Sequence, residues 1–409
     1  MENVSIKCQN AVNVSLQQDE DPGSDKAELF YTLTGKTCGI LVFSHLRWKF
    51  VWQRPQQFLS RFAEDHPILF VEEPVFDLET DDVPRVELED VYPNVTTLTL
   101  HVPREHTQEE LADWRSTHLA KAVRGRDRQD AFELPVLWYY NPMDASWSLD
   151  RFSARVVVYD CMDELSLFAG APPSLIEEER RLMQRADIVF AGGKELCQSK
   201  KQQHHNVHFF GCGVEYQHFA RAQECELAVP ADVRSLPHPI VGWFGVIDER
   251  MNYELLAKMA DLRPEWSFVL VGPVVKVNPA TLPQRPNLHW IGSRDYAELP
   301  DYCRAFDICM MPFALNDATK FINPTKALEY LATARPVVST PVADVVAQYS
   351  DTVFIAESGE AFVQEIDQLL QEPPRERIAR GIERAQACSW EFTVASMRTL
   401  IQASMKQPN

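Results

Sequence analysis

Arg250, Lys326 and Glu329 are two cations and a carboxylate whose neighbouring residues give them a bearing on chemistry. In residues 321–341, FINPTKALEYLATARPVVSTP, Asn323 can act as an N-cap by accepting orphan N–H groups of a helix start. Pro324 then takes the first helical position, where its missing N–H costs nothing. Thr325 and Lys326 follow in the first turn. Backbone donors, the positive end of the helix dipole and an ammonium therefore point at one spot, which suits a phosphate. Glu329 lies three residues on, on the same face and about 4.5 Å further along the axis. A carboxylate there could take a ribose diol. The alternative is an ordinary surface helix with a weak exposed Lys326–Glu329 pair.

Three other stretches carry similar chemistry. In GWFGVIDER, residues 242–250, Gly245 permits a turn or a close backbone approach. Arg250 stands just before a helix, where the dipole disfavours it, and a guanidinium fork there could hold phosphate oxygens. Residues 44–57 place His45, Arg47, Trp48, Trp52 and Arg54 after a first strand. Aromatic faces suit sugar rings and arginines suit anions, although Trp48 and Trp52 would equally serve as buried packing. Asp160, Asp163 and Glu164 follow another strand. One of them could orient an acceptor hydroxyl or act as base. The alternative is that Asp163 caps the next helix while Asp160 bonds local backbone. His204, His205 and His208 are poorly spaced for a metal, and no metal is expected.

The elements that must hold these groups alternate as strand and helix. Apolar runs at 38–43, 66–72, 95–102, 135–140, 155–159, 187–190 and 207–210 read as strands, several of them buried on both faces. Helical stretches from 55, 109–124 and 173–186 intervene. A second series has strands at 240–244, 267–271, 288–292, 308–312 and 337–339, with helices at 253–260, 298–305, 360–372, 378–387 and 390–405. The fold class is α/β: two Rossmann-like, doubly wound domains whose strand ends face one cleft. The expected division is a flexible tail at 1–36, a first domain at 37–220 completed by 390–409, a proline-bearing linker at 221–239 and a second domain at 240–389.

Composition narrows the partners. The chain has 409 residues and a net charge of −19, which argues against nucleic acid or an anionic membrane held by bulk charge. Nine cysteines without a C-x-x-C pair suggest free thiols in a reducing compartment. No apolar run reaches the roughly 18 residues of a membrane span, and the start, MENVSIKCQN, lacks the features of a secretory signal. A cytoplasmic location is expected.

The run Asn323, Pro324, Thr325, Lys326 through Glu329, Tyr330, Leu331 and on to Arg335, Pro336, Val337, Val338 resembles the donor-site signature of GT-B glycosyltransferases, near glycosyltransferase family 4. Ser44-His45-Leu46-Arg47-Trp48, Gln53-Arg54-Pro55-Gln56 and the run from Tyr159 to Glu164 are similar to a bacterial branch of that group. Ser389-Trp390-Glu391-Phe392 resembles the helix that crosses back to the first domain. The resemblance implies a nucleotide-sugar donor on the second domain and an acceptor on the first. It makes Glu329 the ribose ligand, Arg250 and Lys326 the diphosphate clamps, and Thr325 a backbone donor. Transfer in such enzymes is usually retaining and metal-free. Three positions depart from the pattern: Phe321 replaces the first acid of an E-x7-E pair, Trp243 replaces an arginine, and Ala334 replaces a glycine.

The expected activity is therefore hexosyl transfer from a nucleoside-diphosphate sugar, with a UDP-sugar favoured, to a glycan or glycolipid. The nucleotide sugar is a substrate and no cofactor is expected. Any membrane contact would be peripheral and through the acceptor. Asp160, Asp163, Arg250 and Lys326 are the catalytic candidates. The donor side adds Gly245, Asn323, Pro324, Thr325 and Glu329, and the acceptor side His45, Arg47, Trp48 and Arg54. The rivals are a nucleotide-sugar epimerase on the same fold and a non-catalytic glycan- or nucleotide-binding member. No G-x-G-x-x-G follows either first strand, which disfavours a dehydrogenase.

Overall fold

The structure, a computed structural model, describes residues 37–125, 129–168, 170–224, 226 and 228–405. The expected tail at 1–36 lies outside them. The first sheet has nine strands: β1 Ile40–Phe43, β2 Ile68–Val71, β3 Val75–Leu78, β4 Arg85–Tyr92, β5 Val95–Pro103, β6 Val136–Tyr139, β7 Val156–Cys161, β8 Ile188–Ala191 and β9 Val207–Phe209. Their order is β3-β5-β2-β1-β6-β7-β8-β9, with β4 antiparallel on β5 and the other pairs parallel. Every residue of β1, β2, β6, β7 and β8 is buried. Helices cover both faces of such a sheet, which is why these strands read as unbroken apolar runs.

The second sheet has six strands, all parallel: β10 Ile240–Phe244, β11 Ser267–Val271, β12 Leu288–Gly292, β13 Ile308–Met311, β14 Val337–Ser339 and β15 Phe354–Ile355. Their order is β12-β11-β10-β13-β14-β15. The two sheets anchor separate cores, one around Trp138 and Phe190, the other around Phe268 and Met310.

The chain passes between the domains earlier than 221–239. Val214, Phe219 and Ala222 already belong to the second core. The crossing lies near Gly213, where an added Cβ would sit 2.8 Å from the Trp390 side chain. The return strand runs beside it, with Val214 N–H donating to Cys388 O at 2.9 Å. The last helix, Trp390–Ser404, then buries Trp390, Val394, Met397 and Ile401 in the first domain's core, and Trp390 packs edge-on to Phe58 at 5.3 Å. The two connections between domains are thus adjacent.

Candidate active site

The carboxyl ends of the two sheets face a cleft of roughly 1090 Å³, open solvent included. Trp52, Arg54, Asp163, Gly192 and Cys212 line it from the first domain. Trp243, Gly245, Asp248, Arg250, Pro324, Thr325, Lys326 and Glu329 line it from the second.

The expected helix start is corrected by the structure. The helix spans Lys326–Ala332, and the residue before it is Thr325, in helical geometry and without a side-chain cap. Asn323 does not cap. Its Nδ2 donates to Gly192 O at 3.1 Å, on the other domain. The residue before a proline is pushed out of the α region, so Asn323 stays outside the helix and its amide serves the domain contact instead. Thr325 Oγ1 bonds Cys212 Sγ at 3.1 Å, and the Cys212 thiol donates to Asn323 O at 3.3 Å. Burial raises the Cys212 pKa, so the thiol keeps its proton. The loop expected to hold phosphate is thereby tied to the first domain.

Lys326 and Glu329 do share a face. Lys326 Nζ donates to Glu329 Oε2 at 2.8 Å, and Glu329 is only 6% exposed. The ammonium also lies 4.7 Å from the centre of the Phe244 ring. Arg250 is gripped by Asp248, with Nε 3.0 Å from Oδ1 and Nη2 2.6 Å from Oδ2. Burial opposes the charge on Arg250, but Asp248 outweighs it and raises its pKa. Both cations that would meet a diphosphate are therefore held by a carboxylate in the same cleft. Gly245, at φ +145, lets the chain turn beside them. An added Cβ there would meet Lys326 Cε at 3.1 Å.

The acids of the first domain separate sharply. Asp160 does not reach the cleft. Strand β7 continues through Cys161, so Asp160 is still inside the sheet and has no exposed surface. Arg54 Nη2 donates to its Oδ1 at 2.8 Å, while Arg54 Nη1 donates to Phe210 O at 2.7 Å. Arg54 thus reaches the cleft wall but is committed to a buried pair. Asp160 is corrected from catalytic candidate to structural anchor. Asp163, two residues past the strand, does line the cleft. Burial raises its pKa, opposed by Arg250 and then Arg54.

Of the remaining acceptor-side candidates, Trp48 is buried against Phe70 at 5.3 Å and Trp52 at 6.1 Å, and only Trp52 faces the cleft. Arg47 pairs with Glu72 at 2.8 Å, outside the cleft lining. His45 also stands outside that lining; burial, then the charge of Lys276, lowers its pKa to about 4. The histidine group at 204–208 is held locally: His204 Nε2 contacts Ala186 O at 3.1 Å and His208 Nε2 contacts Asn206 Oδ1 at 2.7 Å.

Several residues at the site carried no sequence signal. Phe168, from the first domain, lies 5.6 Å from the Arg250 guanidinium and 5.1 Å from Lys276 Nζ, ring centre to cation. Asp344, on the helix Ala343–Tyr349, accepts from Lys194 N at 2.8 Å and so binds the start of a first-domain helix. Such contacts join residues 150 positions apart, and no local pattern marks them. Asp248 was the exception: it stands two residues before Arg250 in the same glycine-led run.

Residues 238–372, which contain Arg250, Lys326 and Glu329, match the family model described as Glycosyl transferases group 1. The matched stretch lies in the second domain and covers about a third of the chain. The chain is also 28% identical over 225 residues to a Bacillus subtilis (strain 168) protein named as a teichuronic acid biosynthesis glycosyltransferase, TuaH. That match covers 50% of this chain and 55% of the relative, so it spans about half of each. Among solved structures, sucrose-phosphate synthase from Thermosynechococcus elongatus superposes with a TM-score of 0.65 at 17% identity, covering 90% of this chain and 98% of that one. An alpha,alpha-trehalose-phosphate synthase (UDP-forming) from Burkholderia vietnamiensis gives 0.64 at 11% identity, covering 90% and 100%. These likenesses span both domains and show the GT-B fold. Among the described residues, no helix is long and apolar enough to cross a membrane.

Proposed function

We propose that this chain is a glycosyltransferase that moves a sugar from a nucleoside-diphosphate sugar, a UDP-sugar by preference, to a hydroxyl of a glycan or glycolipid. The observation that carries the reading is that Arg250, Lys326 and Glu329 line one cleft opposite Asp163. In this reading Lys326 and Arg250 leave Glu329 and Asp248 and take the diphosphate, whose negative charge grows as the glycosidic bond breaks. Glu329, released from Lys326, accepts from the ribose hydroxyls. Asp163, whose ionised form burial disfavours, orients the acceptor hydroxyl. Retention is the proposed outcome, on the resemblance of the donor motif. The name of the Bacillus relative supports a cell-surface polysaccharide as the destination, assembled from the cytoplasmic side.

The test has two parts. Thermal shifts are measured against UDP, GDP, ADP and their sugars, since a ligand that binds only the folded state raises apparent stability by mass action. UDP compounds are expected to give the largest shift, and no shift with any of them overturns the reading. Donor is then followed by NMR with and without candidate acceptors. A changed donor sugar without acceptor would point instead to an epimerase. Nucleotide binding without turnover on any acceptor would point to a non-catalytic member.

A further inference from the structure

A second cavity, of about 450 Å³ with open solvent included, opens on the far side of the second domain. It is lined by Ile240, the first residue of β10, by Arg304, ahead of β13, and by Arg335, ahead of β14. These strands are parallel, so the cavity lies at their amino ends, whereas the donor cleft lies at their carboxyl ends. Arg234 and His238 complete the polar wall and Val233 contributes an apolar one. No Asp or Glu among the described residues lines it.

That composition stands out in a protein with a net charge of −19. Elsewhere in the same domain several half-buried arginines face acids, as Arg285 does Asp261 and Arg384 does Asp351. Among the described residues Arg234 and Arg335 have no such partner. Arg234 turns Nε and Nη2 onto Val229 O, at 3.1 and 2.7 Å. Arg335 donates from Nη2 to Arg304 O at 3.1 Å, and its buried Nε has no hydrogen-bond partner among the described residues. The neighbouring acid, Asp307, is already engaged: its Oδ2 accepts from Ile240 N at 2.7 Å and contacts His238 Nδ1 at 2.6 Å. Arg234 and Arg335 thus bring two guanidinium groups without an acid partner to one hollow, where a shared anion would offset their repulsion. Their planar forks suit a tetrahedral group with several acceptor oxygens.

We propose that this pocket binds the phosphoryl group of a small molecule, at a site separate from the donor cleft. The valine-lined wall would lie against the rest of a phosphate ester. Arg335 stands past the end of the short helix that begins with Lys326, so the two sites bear on opposite ends of one element. The inference does not depend on the proposed glycosyl transfer.

The experiment is isothermal titration of the full chain, at low ionic strength, with inorganic phosphate and with glycerol 3-phosphate. The wild type is compared with Arg234→Gln, Arg335→Gln and Lys326→Ala. Each arginine change is expected to weaken phosphate by about fivefold or more, and Lys326→Ala to leave it unchanged. Where Arg335→Gln fails to fold, Arg234→Gln, exposed at the rim, carries the test alone. An ester that binds more tightly than phosphate assigns the pocket to phosphate esters, and equal binding assigns it to free phosphate. Phosphate binding that survives the arginine changes, or that disappears with Lys326→Ala, overturns the proposal.

Discussion

Replacing Glu329 by alanine separates the ribose-ligand role from a purely structural one. The carboxylate is 6% exposed, and among the described residues its side-chain hydrogen-bond partner is the Lys326 ammonium, 2.8 Å away. In the fold the loss is small, because Lys326 keeps a 22% exposed side chain and can turn to water. A pair of that kind contributes about 1 kcal/mol or less. In the complex the loss is larger. Hydrogen bonds from hydroxyls to a carboxylate contribute about 1.5–3 kcal/mol each. Breaking the Lys326 pair offsets up to about 1 kcal/mol of this in the wild type, leaving about 2–5 kcal/mol for the two bonds of a diol, or a donor weaker by at least about 30-fold.

The assay is calorimetric binding of UDP and of its 2′-deoxy analogue to both proteins. Wild type is expected to prefer UDP, because a carboxylate facing a missing hydroxyl is left unpaired. Glu329→Ala is expected to lose that preference as well as the affinity. The refuting result is a preference of the same size in both proteins with melting temperatures unchanged. Glu329 would then sit near the nucleotide without touching the ribose.

Arg54→Ala is expected to act on stability, since it leaves the fully buried Asp160 carboxylate without its cation. Unfolding in urea should show a loss of about 3–5 kcal/mol; a variant of normal stability would return Asp160 to the list of functional acids. Ala334→Gly should stabilise the chain by about 0.5–1 kcal/mol, because Ala334 holds a left-handed backbone at φ +59. A lower urea midpoint would contradict this. Acid sensitivity should come in part from His66, whose pKa burial lowers from 6.5 to about 4. The folded state disfavours its charged form. Its contribution is therefore complete above pH 6.5 and lost as pH falls towards 4, on the order of 3 kcal/mol in all. His66→Gln should flatten the stability profile over that window, and an unchanged profile would assign the loss to other groups.

The parallel strands were legible because their residues are buried on both faces, which leaves unbroken apolar runs such as 40–43 and 267–271. The excursion of β3 and β4 was not. Strand β4 carries Arg85, Glu87, Glu89 and Asp90 on an open edge, mostly exposed, so its composition reads as loop. Such charge is how an edge strand avoids pairing with other chains. At the site, the spacing of Lys326 and Glu329 fixed their common face because helix periodicity is local. The acids after β7 could not be ranked, because which of them is inside depends on where the strand ends and on Arg54, 106 residues away. The same holds for Asn323, whose amide is used by Gly192 rather than by its own helix.

Two of the departures from the donor signature, Phe321 and Trp243, bear on the same part of the site. Phe321 packs against the first domain's core instead of lining the cleft. Trp243 stands where an arginine is usual and meets Phe313 edge-on at 5.4 Å. Trp243, Phe313, Ile322 and Met251 make this part of the lining apolar. In the proposed function the positive charge for a diphosphate rests with Arg250 and Lys326, each of which is paired with its own carboxylate, Asp248 and Glu329. A neutral sugar offers nothing that could displace Asp248 or Glu329. A nucleoside diphosphate offers oxygens for both cations and a diol for the carboxylate that Lys326 releases. In that reading the paired cleft favours a ligand that carries both groups at once, because each cation already has a carboxylate partner that only such a ligand replaces.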